Sequence, residues 1–142
     1  MTANKTQAAG KAAPKFNRVM IIDDMEIDRD VQRMLMSNAN FAHTVDARSN
    51  AAEVVAELRG IKRLDEVPDL IFLDLQMPGM NGFEFLKEFE TMPEYIKNKC
   101  RIVIVSGNAD KKVVDITYTN PSVIEYVEKP LDANDLRKIQ NN

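Results

Sequence analysis

The sequence predicts an α/β fold in which one parallel sheet of five strands lies between two layers of helices. The first observation is that short apolar runs alternate along the chain with segments whose apolar residues recur at helical spacing. The second is that these runs are almost unbroken in valine, isoleucine and leucine, which is typical of strands buried on both faces. Together the two patterns indicate a sheet covered by helices on both faces, three layers thick.

Composition and charge favour a single folded domain and exclude several other classes of protein. With 44% hydrophobic and 29% charged residues among 142, the chain is too apolar to stay disordered. The net charge of −3, with both signs mixed, gives no basic patch for nucleic acid. There is neither an apolar stretch of roughly 20 residues, as a membrane span needs, nor a secretory signal. With Cys100 as its single cysteine, we expect a cytoplasmic protein that binds neither nucleic acid nor membranes.

The N-terminal part of the chain predicts a tail followed by a strand and a helix. Residues 1–16 show no hydrophobic period and indicate a flexible tail, so the domain is expected to span residues 17–142. The apolar run at 18–22 predicts the first strand, and a helix follows the acidic pair after it. The residues expected on the buried face of that helix are Ile27, Val31, Met34 and Leu35.

The remaining elements continue the alternation. Apolar runs predict the other four strands, at residues 41–47, 69–75, 101–105 and 123–127. Helices are predicted at residues 49–60, 82–90, 108–120 and 132–142. The first of these has polar residues at its start and Gly60 at its end, as helix caps do. In the second, Phe83, Leu86 and Phe89 are expected to face inward. The third is rich in β-branched residues, which have low helix propensity.

Ionisable and polar side chains stand at the ends of four predicted strands, where open parallel sheets bind ligands. They are Asp23 and Asp24 after the first strand, Asp74 at the end of the third, Ser106 after the fourth, and Lys129 with Pro130 after the fifth. Asp74 is the most informative, because an ionised carboxylate at the end of a buried strand is costly unless it is paired or bound to a metal.

These residue types suit phosphoryl chemistry. Three carboxylates converging on one edge would raise one another's pKa unless a cation intervened, and Mg²⁺ prefers oxygen ligands in such an open cleft. A carboxylate beside that ion could attack a phosphoryl group and form an aspartyl phosphate. The Lys129 ammonium and the Ser106 hydroxyl would then stabilise charge on the transferring oxygens.

Four motifs in this order carry a family resemblance: IIDD, LIFLDLQMPGMNG, VSG and YVEKP, at residues 21–24, 70–82, 105–107 and 126–130. From residue 17 onward the chain resembles the receiver domains of bacterial two-component response regulators, of the stand-alone, single-domain type. The resemblance implies a flavodoxin-like, doubly wound, five-stranded parallel sheet with five helices. It also implies a non-enzymatic protein that signals by altered docking to an unknown protein target.

The resemblance further implies a role for each matched residue. Asp74 would be the phosphoacceptor, and the donor would be a sensor histidine kinase or a histidine phosphotransfer protein. The cofactor would be Mg²⁺ or Mn²⁺, held by Asp23, Asp24, Asp74 and the backbone carbonyl of Gln76, with Asp24 bound directly and Asp23 mainly through water. Ser106, Lys129 and Tyr126 would bind the phosphoryl group and carry the switch, and Pro130 would follow a cis peptide bond.

Two alternatives remain open, and a third is disfavoured. The chain could be a receiver fragment of a larger hybrid kinase or regulator, or a receiver-like scaffold that is not phosphorylated. A phosphohydrolase of the haloacid dehalogenase type also uses an aspartate and Mg²⁺, but it needs a second acid two residues after the nucleophile. Here Leu75 and Gln76 follow Asp74, so that acid is missing.

Overall fold

The computed structural model describes residues 13–107 and 110–142, which form a five-stranded, wholly parallel sheet in the order β2-β1-β3-β4-β5. The strands are β1 (Phe16–Ile22), β2 (Ala42–Arg48), β3 (Leu70–Asp74), β4 (Arg101–Ser106) and β5 (Val123–Glu128). The α-helices of these residues are α1 (Glu26–Asn38), α2 (Ala51–Arg59), α3 (Gly82–Glu90), α4 (Glu94–Lys99), α5 (Lys111–Thr119) and α6 (Ala133–Gln140). A short 3₁₀ turn lies at Leu64–Glu66. The predicted fold class is therefore confirmed.

Two apolar layers sandwich the sheet, because successive residues of each strand point to opposite faces. On one face, Val19 and Ile21 of β1 pack in a layer that includes residues of α1 and α6. On the other face, Met20 and Ile22 belong to a larger layer that includes residues of α2, α3, α4 and α5. Burial on both faces explains why the strands appear in the sequence as continuous apolar runs.

The register of the strands brings their carboxyl ends to one edge of the sheet. Ile22 pairs with Leu73, so the acidic pair after β1 lies beside Asp74 at the end of β3. Asp74 in turn pairs with Val105, one residue before Ser106. No helix among the described residues is long and apolar enough to cross a membrane.

The predicted orientation of α1 is wrong. Ile27 and Met34 are 70% and 56% exposed, Val31 is also exposed, and Leu35 is only half-buried. The residues that α1 buries are Gln32 and Met36. A hydrogen bond from the Gln32 side chain to Asp23 and an ion pair between Asp28 and Lys129 tie the polar side of the helix to the strand ends. The orientation of α1 is therefore determined by contacts with residues distant in sequence, and not by its apolar periodicity.

The predicted number of five helices is also wrong, since the described residues contain six. The additional helix, α4, follows Pro93, has only six residues and buries Ile96. The predicted helix before β5 is present as α5, whose N-cap Asp110 accepts a hydrogen bond from the Val113 backbone N–H. In α3, Leu86 and Phe89 are buried as predicted, whereas Phe83 is half-buried and Phe85, which was not predicted to be buried, is fully enclosed.

At the N-terminus, β1 begins at Phe16, one residue before the expected start of the domain. Phe16 packs at 5.0 Å between ring centroids against Phe41, which accounts for the earlier start. The predicted tail falls mostly on residues 1–12, which lie outside the described residues.

Gly82, the first residue of α3, lies directly against the backbone that follows Asp74. Its N–H donates to the Leu75 carbonyl oxygen at 3.1 Å. A Cβ atom at this position would lie 2.7 Å from the Asp74 carbonyl oxygen and 2.7 Å from Leu75 Cα. Real carbon atoms do not approach backbone so closely, so only glycine lets α3 start here.

We predict that Gly82→Ala lowers the free energy of unfolding by about 1–3 kcal/mol, because backbone must shift to relieve the clash. Urea unfolding monitored by circular dichroism measures the change. Gly60→Ala is the matched control, since a Cβ there would be 3.6 Å from its nearest neighbours, an ordinary contact. Equal unfolding free energies for the two variants would contradict the prediction.

Candidate functional site

Three carboxylates meet at the carboxyl edge of the sheet. Asp23 and Asp24 follow β1, Asp74 ends β3, and one oxygen of each lies within 4.8 Å of the others. Asp23 and Asp74 are buried, and Asp24 is half-buried. Like charges so close together, and so poorly hydrated, destabilise the fold unless a cation offsets them.

Lys129 supplies positive charge to this cluster. Its ammonium lies 3.0 Å from Asp23 Oδ2, 3.5 Å from Asp74 Oδ2 and 2.8 Å from Asp28 Oδ2. Its backbone N–H donates to the Ser106 carbonyl oxygen at 2.9 Å, and the peptide bond to Pro130 is cis. Burial acts to lower the pKa of Lys129, but hydrogen bonds to Asp28 and Asp23 outweigh it and raise the pKa, so the ammonium stays charged.

The Asp74 carboxylate accepts a hydrogen bond from the loop that follows β3, and its surroundings raise its pKa. Its Oδ1 accepts a hydrogen bond from the Gln76 backbone N–H at 3.2 Å. Burial is the main cause that raises the pKa of Asp74 to about 6, and the charge of Asp23 adds to it. The Gln76 N–H and the Lys129 ammonium act in the opposite direction. Asp74 is therefore ionised near neutral pH, at an energetic cost.

The donor atoms of the cluster fit a hard divalent cation. All three side chains offer carboxylate oxygens, which Mg²⁺ prefers. Asp24 Oδ1 is buried and has no hydrogen-bond partner within residues 13–107 and 110–142. A buried acceptor left unpaired is costly, and a bound cation would satisfy it. Gln76 lies two residues after Asp74, in the loop that follows β3.

Ser106 and Tyr126 lie on the neighbouring strands β4 and β5. Ser106 ends β4 and is buried beside the strand that carries Asp74. Tyr126 pairs with Ile104 and is half-buried, and its ring packs against the larger apolar layer. Its hydroxyl is buried but has no hydrogen-bond partner in the part of the chain that the structure describes. The structure thus brings Asp23, Asp24, Asp74, Ser106 and Lys129 to one edge, with Tyr126 beneath it.

Two residues of the site were missed from the sequence. Asp28 makes the shortest contact with Lys129, and the Gln32 amide nitrogen lies 3.5 Å from Asp23 Oδ2. They are four residues apart and so lie on the same face of α1. A polar pair at this spacing, directly after the acidic motif, could have indicated these two residues. The apolar residues of the same helix form a more regular pattern, and the predicted orientation of the helix was based on them.

Comparison with known proteins identifies a family similarity over almost the whole chain. A family model described as the response regulator receiver domain matches residues 19–141. The two-component response regulator ORR1 of Oryza sativa subsp. japonica is 27% identical over 127 residues, which are 87% of this chain and 54% of that protein. The chain spans about half the length of the curated relatives it matches.

Solved structures share the same architecture. A two-component response regulator from Cytophaga hutchinsonii superposes with a TM-score of 0.78 at 25% identity, covering 89% of this chain and 96% of that chain. A response regulator receiver protein from Dyadobacter fermentans DSM 18053 gives a TM-score of 0.75 at 30% identity, covering 86% of this chain and 93% of that chain.

The raised pKa of Asp74 predicts a pH-dependent difference in stability between the metal-free protein and Asp74→Asn. The folded-state pKa of about 6 exceeds the ordinary value of 3.8, so the stability contributed by Asp74 is fully present below about pH 4 and lost as the pH rises through about 6. Relative to Asp74→Asn, the wild type should therefore lose about 1–3 kcal/mol over that range.

Urea unfolding in the presence of a chelator, at several pH values between 4 and 7, measures this difference. Asp74→Ala should show the same pH profile, because it also removes the ionisable group but lacks the hydrogen bonds of an amide. If the unfolding free energy of Asp74→Asn minus that of the wild type stayed constant or decreased as the pH rose, the raised pKa of Asp74 would be refuted.

Proposed function

Because the chain belongs to the family of response regulator receiver domains, we propose that it accepts a phosphoryl group on Asp74 from a histidine kinase or histidine phosphotransfer protein. The reaction depends on Mg²⁺ or Mn²⁺, and phosphorylation alters docking to a downstream protein. One observation carries the proposal: the Asp74 carboxylate lies within 4.8 Å of two further carboxylates and 3.5 Å from a lysine ammonium.

Each side chain of the cluster has a different role in phosphoryl transfer. An Asp74 oxygen attacks phosphorus while the bond from phosphorus to the donor nitrogen breaks, and the electron pair stays on that nitrogen. Lys129 offsets charge on the phosphoryl oxygens, and the Ser106 hydroxyl donates a hydrogen bond to one of them. A bound Mg²⁺ supplies further neutralisation of these oxygens. Its direct ligands would be Asp24, Asp74 and the Gln76 carbonyl, while Asp23 would act mainly through water.

The proposed switch joins Ser106 to Tyr126. Ser106 moves toward the phosphoryl oxygens, and Tyr126 changes rotamer into the space it leaves. The buried Tyr126 hydroxyl supports this step, because no hydrogen bond within the described residues holds the ring in place. The change of rotamer alters the surface around β5, and a partner protein recognises that surface. On this proposal the chain has no enzymatic activity of its own and binds neither nucleic acid nor membrane.

An apolar stripe on α1 offers a docking face for the phosphoryl donor. Ile27, Val31 and Met34 recur at intervals of four and three residues and are exposed together. Contiguous exposed apolar surface of this kind marks interaction sites more often than isolated residues do. Asp28, on the same helix, contacts Lys129, so a protein seated on this stripe lies next to the acceptor site. An apolar helix of the donor fits such a surface.

The form of the protein that we propose is a stand-alone, cytoplasmic regulator whose receiver domain begins with β1. The buried Cys100 thiol is compatible with a reducing compartment. The alternative, a receiver within a larger kinase or regulator, is supported by curated relatives about twice as long as this chain. Both forms share the same chemistry at Asp74, whereas a receiver-like scaffold would lack it.

We predict that incubation with acetyl phosphate and Mg²⁺ adds one phosphoryl group, seen as a single adduct by intact mass. Asp74→Asn should remain unmodified because the attacking oxygen is lost. Asp24→Ala should fold, yet lose Mg²⁺ binding and phosphorylation, because it removes a metal ligand and relieves like-charge repulsion. Omission of Mg²⁺ is the control for the cofactor. Absence of any adduct, with a cognate kinase as well, would leave only the scaffold alternative.

We further predict that Ile27→Ser combined with Met34→Ser slows phosphoryl transfer from a phosphotransfer protein about tenfold, because apolar contact area with the donor is lost. The rate with acetyl phosphate should be unchanged, since a small donor needs no docking face. Leu64→Ser, at a residue 56% exposed in the 3₁₀ turn, is the matched control. An equal loss of rate in that control, or with acetyl phosphate, would exclude α1 as the docking face.

A further inference from the structure

We propose that Asp28 is a positioning residue of the phosphorylation site, which holds the Lys129 ammonium toward α1 and releases it when Asp74 becomes phosphorylated. This inference rests on the proposed function. Asp28 lies outside the motifs that identify the family, and it enters the site from a helix, whereas Asp23 and Asp74 enter from strand ends.

The distances show where the lysine is held. An ammonium has three protons to donate, and Lys129 faces three carboxylates. The contact with Asp28 is the shortest, at 2.8 Å, and the contact with the phosphoacceptor Asp74 is the longest, at 3.5 Å. Before phosphorylation, therefore, Asp28 competes with Asp74 for the group that must later neutralise the phosphoryl oxygens.

The different burial of Asp23 and Asp28 determines which of these two contacts Lys129 loses when Asp74 is phosphorylated. The side chain of Asp28 is 33% exposed, whereas that of Asp23 is 1% exposed. A carboxylate that water can reach loses little when its partner leaves, but a buried one is left uncompensated. A surface cavity of about 260 Å³, lined by Asp28, Gln32, Lys129 and their neighbours, opens beside the contact. Lys129 consequently keeps Asp23 and releases Asp28 as it moves to the phosphoryl group.

The charge of Asp28 also opposes phosphoryl transfer directly. A phosphate donor that carries negative charge must approach a site where Asp23, Asp24 and Asp74 already lie together. A fourth carboxylate adds repulsion that Lys129 offsets only in part. Both effects, competition for the ammonium and repulsion of the donor, slow phosphorylation. Removing the charge of Asp28 while keeping its shape should therefore make the reaction faster.

Loss of the ion pair between Asp28 and Lys129 would also affect α1 itself. Asp28 adjoins Ile27 in sequence and precedes Val31 by three residues, so the ion pair anchors the segment that carries the proposed docking stripe. When Lys129 moves to the phosphoryl group, this segment loses an anchor to the strand ends. The loss couples the state of Asp74 to the face on which the donor sits.

The test compares rates of phosphorylation by acetyl phosphate at saturating Mg²⁺, followed by intact mass. Asp28→Asn should react about 3- to 10-fold faster than the wild type, the size expected when one charge-assisted contact is removed. Asp30→Asn is the matched control, since it makes the same charge change at an exposed position of α1. Its rate should stay within about twofold of the wild type, because an exposed charge is screened. Circular dichroism confirms that each variant is folded.

A second comparison asks whether Asp28 acts through the lysine. In a Lys129→Gln background, adding Asp28→Asn should accelerate the reaction less than it does in the wild type, because the contact no longer exists and only the direct repulsion of the donor is relieved. A rate for Asp28→Asn equal to or below that of the wild type would overturn the inference, as would equal acceleration by Asp30→Asn or full acceleration without Lys129. If the wild type itself gains no phosphoryl group, the proposed function fails first, and the inference fails with it.

Discussion

Repulsion among buried carboxylates is the constraint on which the rest of this structure depends. Asp23, Asp24 and Asp74 lie within 4.8 Å of one another, and two of them are almost fully buried. Such a cluster persists in a folded protein only because the surrounding packing contributes more free energy than the repulsion costs. The sheet beneath the cluster supplies that packing, since β1, β3 and β4 are buried on both faces. The energetic cost of the repulsion is concentrated at the carboxyl edge of the sheet, where a bound cation or phosphorylation would reduce it.

The order of the strands explains why the cluster forms at this place. The chain crosses from β1 outward to β2, returns to β3 on the other side of β1, and then continues outward to β4 and β5. Loops after β1 and β3 therefore leave the sheet in opposite directions and open a crevice between them. The acidic pair and Asp74 lie at the two sides of that crevice, while Lys129 reaches it from the more distant β5.

The sequence predicted those features that are local or that repeat along the chain. Apolar runs located all five strands, and the polar residues after them located the edge that holds Asp74 and Lys129. The orientation of α1 could not be predicted in this way, because it depends on Lys129, which is 101 residues from Asp28. Nor could α4, whose six residues are too few to show a helical period. A periodic pattern carries no information about contacts between residues distant in sequence, and it cannot be recognised in a segment of six residues. The orientation of α1 and the presence of α4 were therefore not predicted.

The two faces of α1 differ in what they contact. Asp28 and Gln32 face the strand ends, while Ile27 and Met34 face solvent and take no part in the core. On the proposed function, a substitution on the outer face would change recognition of the donor while the side chains of Asp28 and Gln32 stayed in place. Specificity would then be adjustable at solvent-exposed positions, where most substitutions change the free energy of unfolding little.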